Sequence, residues 1–344
     1  MPDLGTTWFL LIGVLIVGYV VLDGFDLGAG LLHLFVARDD RERRVVLASI
    51  GPVWDGNEVW LLTAGGALFA AFPIVYATVF SGFYLALILL LLALIVRAAA
   101  MEFRSRRESS AWRQAWDVAF AVSSFLAALL LGVAIGNIVR GIPIDPSGAY
   151  RGGLIGLLNP YALVVGLLAV TVMAAHGAGW LVLKTDGRVQ LRARSAATVA
   201  WAAALGLWIV ATLLTGIESG NGSVHLEGLL ANPLAWFAPT IFAAAWILFR
   251  RFVVDPGREL VAFALSGVSI AALMVMVGQA IYPNLVPGLD APERSLTIAN
   301  AASSELTLSV MLVIALIGMP IVVAYTAFVY WTFRGKATPN DHGY

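Results

Sequence analysis

Four carboxylates interrupt runs of sequence that are otherwise apolar: Asp23 and Asp26 in "VVLDGFDLGAG", and Asp55 and Glu58 in "VWDGNEVWLL". Carboxyl groups in such places can take up and release protons, hold a cation, or tie neighbouring helices together by hydrogen bonds. Each pair is spaced i, i+3, which puts its two carboxyls on one face of a helix. Two histidines join them as groups able to do chemistry. His33 follows the first pair, and His176 sits in "AAHGAGWLVL", where the small residues behind it let another helix or a flat cofactor approach closely. Three roles stand open for His176: a buried hydrogen-bonding residue, the polar lining of a pocket or path, or a haem ligand. His225 and His342 fall in a connecting loop and in the C-terminal tail, away from any such site.

The chain that must position these groups has 344 residues, of which 60% are hydrophobic and only 12% charged. A soluble domain carries about 25% charged residues, so the composition points to an all-α integral membrane protein. Zero formal net charge argues against nucleic acid as a partner. The absence of cysteine excludes disulfides, iron–sulfur clusters and thiolate metal sites. The leading "MPDLGTTW" lacks a basic region, so the first segment reads as a retained span rather than a cleaved leader. A spanning helix needs about 20 mostly apolar residues. Nine segments meet that requirement, at 6–36, 46–72, 74–103, 113–139, 160–183, 195–216, 233–250, 258–281 and 304–333. The second is the weakest, because its first half is polar and contains Pro52.

The basic residues set the orientation. Arg38, Arg41, Arg43 and Arg44 follow the first segment, and Arg97, Arg104, Arg106, Arg107 and Arg113 surround the turn after the third. With those after the fifth, seventh and ninth, 18 of the 21 lysines and arginines fall on one side. The positive-inside rule then places the N-terminus outside and the C-terminus in the cytoplasm, which requires an odd number of spans. The longest connections, 137–160, 217–233 and 282–304, all lie outside, and none is long enough to be a domain. "DGFDLGAGLL" in the first span echoes "AAHGAGWLVL" in the fifth, which suggests a parallel repeat of spans one to four and five to eight plus one extra helix.

Counting 1.5 Å per residue from the arginines places Asp26 roughly 18 Å and Asp23 roughly 22 Å deep. By the same count Asp55 lies roughly 16 Å and Glu58 roughly 21 Å deep. The two pairs therefore meet at one height on adjacent antiparallel helices. An acidic residue at the centre of a span costs about 2.5–3.5 kcal/mol, so most of the four should hold a proton or face water or a cation. Arg97, about 10 Å up the third span, is the basic residue placed to partner them. Two readings follow: a hydrogen-bonded knot that holds the helices together, or a proton path or ion site reached from the cytoplasm. "GFDLG" and "GVAIG" are small-xxx-small patterns that permit close helix contact. A proton-coupled secondary transporter and a purely structural assembly subunit are the rival functional classes.

At these residues the chain resembles subunit II of the cytochrome bd-type quinol oxidases of bacterial respiratory chains. The segments that carry the resemblance are "DGFDLGAG", "RDDRERR", "GPVWDGNEVWLLTAGGALFAAFPIVYATVFSGFY", "GVAIGNIVRGIPI", "ASSELTLSVMLVIALIGMP" and "YTAFVYWTFRGK". They run from the first span to the C-terminus. The resemblance implies nine transmembrane helices in a single membrane domain, 1–344: a first four-helix bundle in 1–140, a second in 160–281, and a peripheral ninth helix, 304–333. It implies a larger partner, subunit I, that ligates two b-type haems and one haem d and binds quinol as electron donor. Small accessory subunits are further candidate partners. Subunit II would supply a proton path from the cytoplasm to the oxygen-reducing site. Asp55 of the "WDG" motif belongs to that path, with Asp23, Asp26 and Glu58 similarly placed. The bacterial cell membrane is the expected location. The loop between spans six and seven is short for the family.

Overall fold

The computed structural model describes residues 3–146, 148–219, 232–289 and 291–338. His225, His342 and most of the loop between the sixth and seventh spans lie outside the described residues. The chain is a set of packed helices with one small hairpin. In order, they are α1 (Leu4–Val36), α2 (Asp40–Ile50), α3 (Trp54–Ala71), α4 (Pro73–Gly82), α5 (Tyr84–Phe103), α6 (Ser110–Arg140) and the short α7 (Gly153–Leu157). There follow α8 (Pro160–Lys184), α9 (Gly187–Ser219), α10 (Phe237–Val253), α11 (Glu259–Ile281) and α12 (Glu305–Thr332). Eight described helices are long and apolar enough to cross a bilayer, and α3 is not among them.

Local chemistry sets the helix ends. Asp3 caps α1 by accepting from Thr6 N at 2.7 Å, and Asp39 caps α2 by accepting from Glu42 N at 2.9 Å. The segment expected as one span at 46–72 is divided. The polar α2 stops at Gly51–Pro52, and α3 starts afresh at Trp54 with 18 residues. Phe72 precedes Pro73, and its φ of −136° and ψ of 67° take it out of the helix. Pro73 then opens α4 at a position whose N–H would have gone unpaired anyway. The span expected at 74–103 is likewise interrupted, at Phe83, so α5 alone makes the long apolar run.

Inside a bilayer both lipid and core are apolar, so helices associate through close packing and polar contacts rather than by escape from water. The sequence echo lies where that matters most. α1 crosses α8 at Gly28 and Gly177, and a Cβ on Gly28 would sit 2.8 Å from the Gly177 Cα. Gly132 and Gly136 of "GVAIG" meet α8 in the same way, at Gly166 and Ala162. Around this crossing α1 packs on α3, α6 and α11, and α8 packs on α9, α6 and α11. Outside them, α5 packs on α6 and α10 packs on α11. α12 stands apart: it touches α1 and α3, and Leu308 is its only buried residue. At the end opposite the arginine-rich turns, the antiparallel strands β1 (Asn284–Val286) and β2 (Leu296–Thr297) are tied to the 141–157 connection. Arg294 secures them by donating to Ile144 O at 3.2 Å.

Candidate functional site

The GAG face of α1 that meets α8 carries its carboxylates on the other side, toward α3 and α5. Asp23 and Asp26 are both fully buried. Arg97 of α5, also fully buried, grips Asp23 with two parallel hydrogen bonds, Nη2 to Oδ1 at 2.7 Å and Nη1 to Oδ2 at 3.0 Å. This bidentate fork is the strongest arrangement available to such a pair. Asp26, one turn along, has no cation of its own. Its Oδ2 accepts from Asn57 Nδ2 at 2.7 Å, and its Oδ1 is buried without a partner.

Asn57 belongs to α3 and is buried. Its Nδ2 also donates to Leu22 O at 3.1 Å, and its Oδ1 accepts from the Tyr330 hydroxyl of α12 at 2.9 Å. The neighbouring carboxylates of α3 point elsewhere. Glu58 is half-buried and within electrostatic reach of Arg97, Asp23 and Asp55, whereas Asp55 is exposed on the surface of the chain. Asp23, Asp26 and Glu58 thus come within electrostatic reach of one another, and Asp55 lies at the outer edge of the group. The expectation that α3 would turn both its carboxylates inward with those of α1 does not hold. It is Asn57, between them, that faces Asp26.

A third buried carboxylate lies nearer the arginine-rich turns. Asp117 of α6 is fully buried and receives His33 Nε2 at 2.6 Å, Arg104 Nε at 2.6 Å and Arg43 Nη1 at 2.8 Å. Arg104 also reaches Asp40 at 2.9 Å, and Arg113 reaches the same residue at 3.2 Å. This network was not anticipated from the sequence. The signal was there: Asp117 is the lone carboxylate in the apolar stretch that follows Trp116. Asn57 and Tyr330 were also missed, since an amide beside two acids and a tyrosine near a helix end carry no pattern of their own.

His176 is fully buried and accounted for. Its Nε2 donates to Val21 O at 2.8 Å, its Nδ1 meets Ser266 Oγ at 2.7 Å, and its ring lies flat on Phe263 with centroids 4.8 Å apart. Both ring nitrogens and one ring face are therefore used within the protein. His33 is enclosed between Asp117 and the Phe120 ring. His176 thus has no ring nitrogen left for a haem iron, whereas His33 keeps a buried Nδ1 without a hydrogen-bond partner; among the described residues no group of three or more His, Asp or Glu is arranged to hold a metal ion.

Comparison with known proteins decides the family. Residues 4–333 match the family described as cytochrome bd terminal oxidase subunit II. The chain belongs to that family. As a cytochrome bd subunit II it is part of a bacterial respiratory quinol oxidase and a multi-pass membrane protein. Among curated relatives it is 37% identical to the cytochrome bd-I ubiquinol oxidase subunit 2 of Escherichia coli K12, over 97% of this chain and 95% of the relative. It is 32% identical to the cytochrome bd ubiquinol oxidase subunit 2 of Bacillus subtilis 168, over 99% of each. The fold is similar to a chain of the bd oxidase from Geobacillus thermodenitrificans, with a TM-score of 0.76 at 17% identity, covering 96% of this chain and 98% of the other.

Proposed function

We propose that this subunit carries protons through the membrane toward an oxygen-reducing haem site held by a partner, subunit I. The observation that carries the reading is the contrast within the buried set. Asp23 is locked to Arg97, while Asp26 is held by neutral groups only and keeps an unpartnered oxygen. A carboxyl without a fixed counter-charge can change its protonation state at little structural cost. In this scheme Glu58 links the buried pair to Asp55, and Asp55, exposed on the isolated chain, hands protons across the contact with subunit I. Arg97 with Asp23 supplies a fixed, net-neutral neighbour that keeps the local field steady.

The haems, two of b type and one of d type, and the quinol site belong to the partner in this reading. Engagement of both ring nitrogens of His176 within this chain supports that assignment. α3 is the ninth crossing: 18 residues at 1.5 Å each span about 27 Å, close to the hydrocarbon thickness of about 30 Å. The N-terminus lies outside and the arginine-rich turns face the cytoplasm. The bundles divide at residues 1–140 and 160–281, with α12 peripheral. A reporter fused after Lys336 is expected to read cytoplasmic and one inserted beside Ala149 external.

Asp55→Asn in the complete heterodimer tests the path. The amide keeps shape and hydrogen bonding but relays no proton, so haem content should be normal while steady-state oxygen consumption falls by about 10²- to 10⁴-fold. Full turnover in a fully assembled Asp55→Asn complex removes Asp55 from the path.

A further inference from the structure

Tyr330 stands on α12, where Leu308 is the one buried residue, yet its hydroxyl reaches a buried polar set. The amide it touches is held at three points. Leu22 O is a main-chain carbonyl and only accepts, so the Asn57 Nδ2 side must face it. Asn57 Oδ1 likewise only accepts, so the Tyr330 hydroxyl must be the donor of the 2.9 Å bond. With both ends fixed, the remaining Nδ2–H is aimed at Asp26 Oδ2. An N–H aimed at a carboxyl favours its ionised, accepting form; a carbonyl oxygen in that place would favour the protonated, donating form. No other hydrogen bond reaches the Asp26 carboxyl among the described residues, since its Oδ1 has no partner.

The position of Tyr330 is itself enforced. Its ring packs edge-on to Phe25 and Trp180, with centroids 6.4 and 6.1 Å away. Just beyond it, the chain is strapped to the end of α8 by two lysines that cap each other's helix. Lys184 donates to Phe333 O and, at 2.6 Å, to Gly335 O. Lys336 returns to Thr185 O at 3.0 Å and Val182 O at 3.4 Å, and Ala337 N bonds Lys184 O at 2.8 Å. The strap fixes α12 at the end that carries Tyr330.

We propose that Tyr330 is a positioning residue for Asp26: by donating to Asn57 Oδ1 it holds, together with Leu22 O, the direction of the amide, and through it the protonation state that Asp26 favours. The charged and titratable groups facing Asp26 are Asp23 on its own helix, Glu58 of α3, Arg97 of α5 and Tyr330 itself. His176 of α8 is turned into Val21 and Ser266. None of these others bonds the Asn57 amide. The effect on turnover rests on the proton-path reading; the effect on the Asp26 carboxyl does not.

The test is made on the assembled oxidase. Infrared spectroscopy reads the protonated carboxyl band of Asp26, assigned as the band that Asp26→Asn deletes. Tyr330→Phe keeps the ring and removes only the donor, and should raise the protonated-to-ionised ratio of Asp26 about tenfold, the worth of one hydrogen bond. Incorporating 3,5-difluorotyrosine at position 330 keeps the shape and strengthens the donor, so the ratio should fall; this arm also serves if Tyr330→Phe fails to assemble. An unchanged ratio in either protein overturns the positioning role. Full oxygen turnover in Asp26→Asn, with the infrared shifts still present, overturns the proton path through Asp26 and leaves the role of Tyr330 standing. A normal ratio in Tyr330→Phe beside a dead Asp26→Asn does the reverse.

Discussion

Asp26 and Asp117 are both buried carboxylates on membrane-spanning helices, and they are treated in opposite ways. Asp117 receives two arginines and a histidine and has both oxygens satisfied. Asp26 receives one amide and leaves an oxygen bare. Asp23, beside it, sides with Asp117, since Arg97 occupies both its oxygens. A buried ion pair is costly to make and more costly to break, because removing one partner strands the other's charge. A carboxyl held by neutral groups has no charge to strand. In the proposed path, then, burial alone does not mark a residue for proton transfer; the absence of fixed cations around it does.

The comparison can be broken by experiment, and the largest effect is expected at Asp26. Asp26→Asn should leave yield and haem content of the complex intact while lowering oxygen consumption by about 10²- to 10⁴-fold; a low yield with normal specific turnover would place it with Asp117 instead. Next comes Asp23→Asn, which strands Arg97 and should cost about 3–5 kcal/mol of stability, seen as poor assembly. Adding Arg97→Met to it should restore much of the yield, since the double variant has no charge left unpaired. If the double variant assembles no better than the single, the pair is not held together by mutual charge. Asp117→Asn should do less, about 2–3 kcal/mol, because Arg43 is partly exposed and Arg104 retains Asp40; thermal unfolding of the purified complex measures it. Lys336→Met should be the mildest, about 1 kcal/mol and confined to the strap, where hydrogen exchange of residues 328–333 and of the last turn of α8 should quicken while that of the middle of α8 should not.

Much of this was open to reading in the sequence, for reasons that also explain what was not. Arginines mark the membrane boundary, so counting residues from them put Asp26 and the second carboxylate pair at one height. Length and apolar composition located eight of the long helices. The matching GAG triplets suggested a repeat and a close approach of some other element, and the structure shows that they approach each other, α1 crossing α8 there. The direction in which α3 faces was not readable. In a lipid environment both the outside and the core of a helix are apolar, so periodicity does not tell which face turns inward. Asp55 and Glu58 do lie i, i+3, but the residue presented to Asp26 is Asn57, between them. The contacts of Asn57 with Tyr330 and of Lys184 with Gly335 join residues 273 and 151 positions apart. No local pattern announces partners at such range.

The Gly28–Gly177 contact carries a last consequence. The two glycines occupy the same place in the two echoing segments, so the segments can be aligned through them. Asp23 then stands opposite Val172 and Asp26 opposite Ala175, both buried, while His176 stands opposite Leu27. The two helices share a crossing point and differ in what they carry around it. α1 carries its carboxylates on the side turned away from the crossing, toward α3 and α5, while α8 has apolar residues at the matching positions and His176 beside the crossing. Neither glycine can change without disturbing both halves, so chemical novelty in either half must arise a turn away from the crossing, which is where the carboxylates stand.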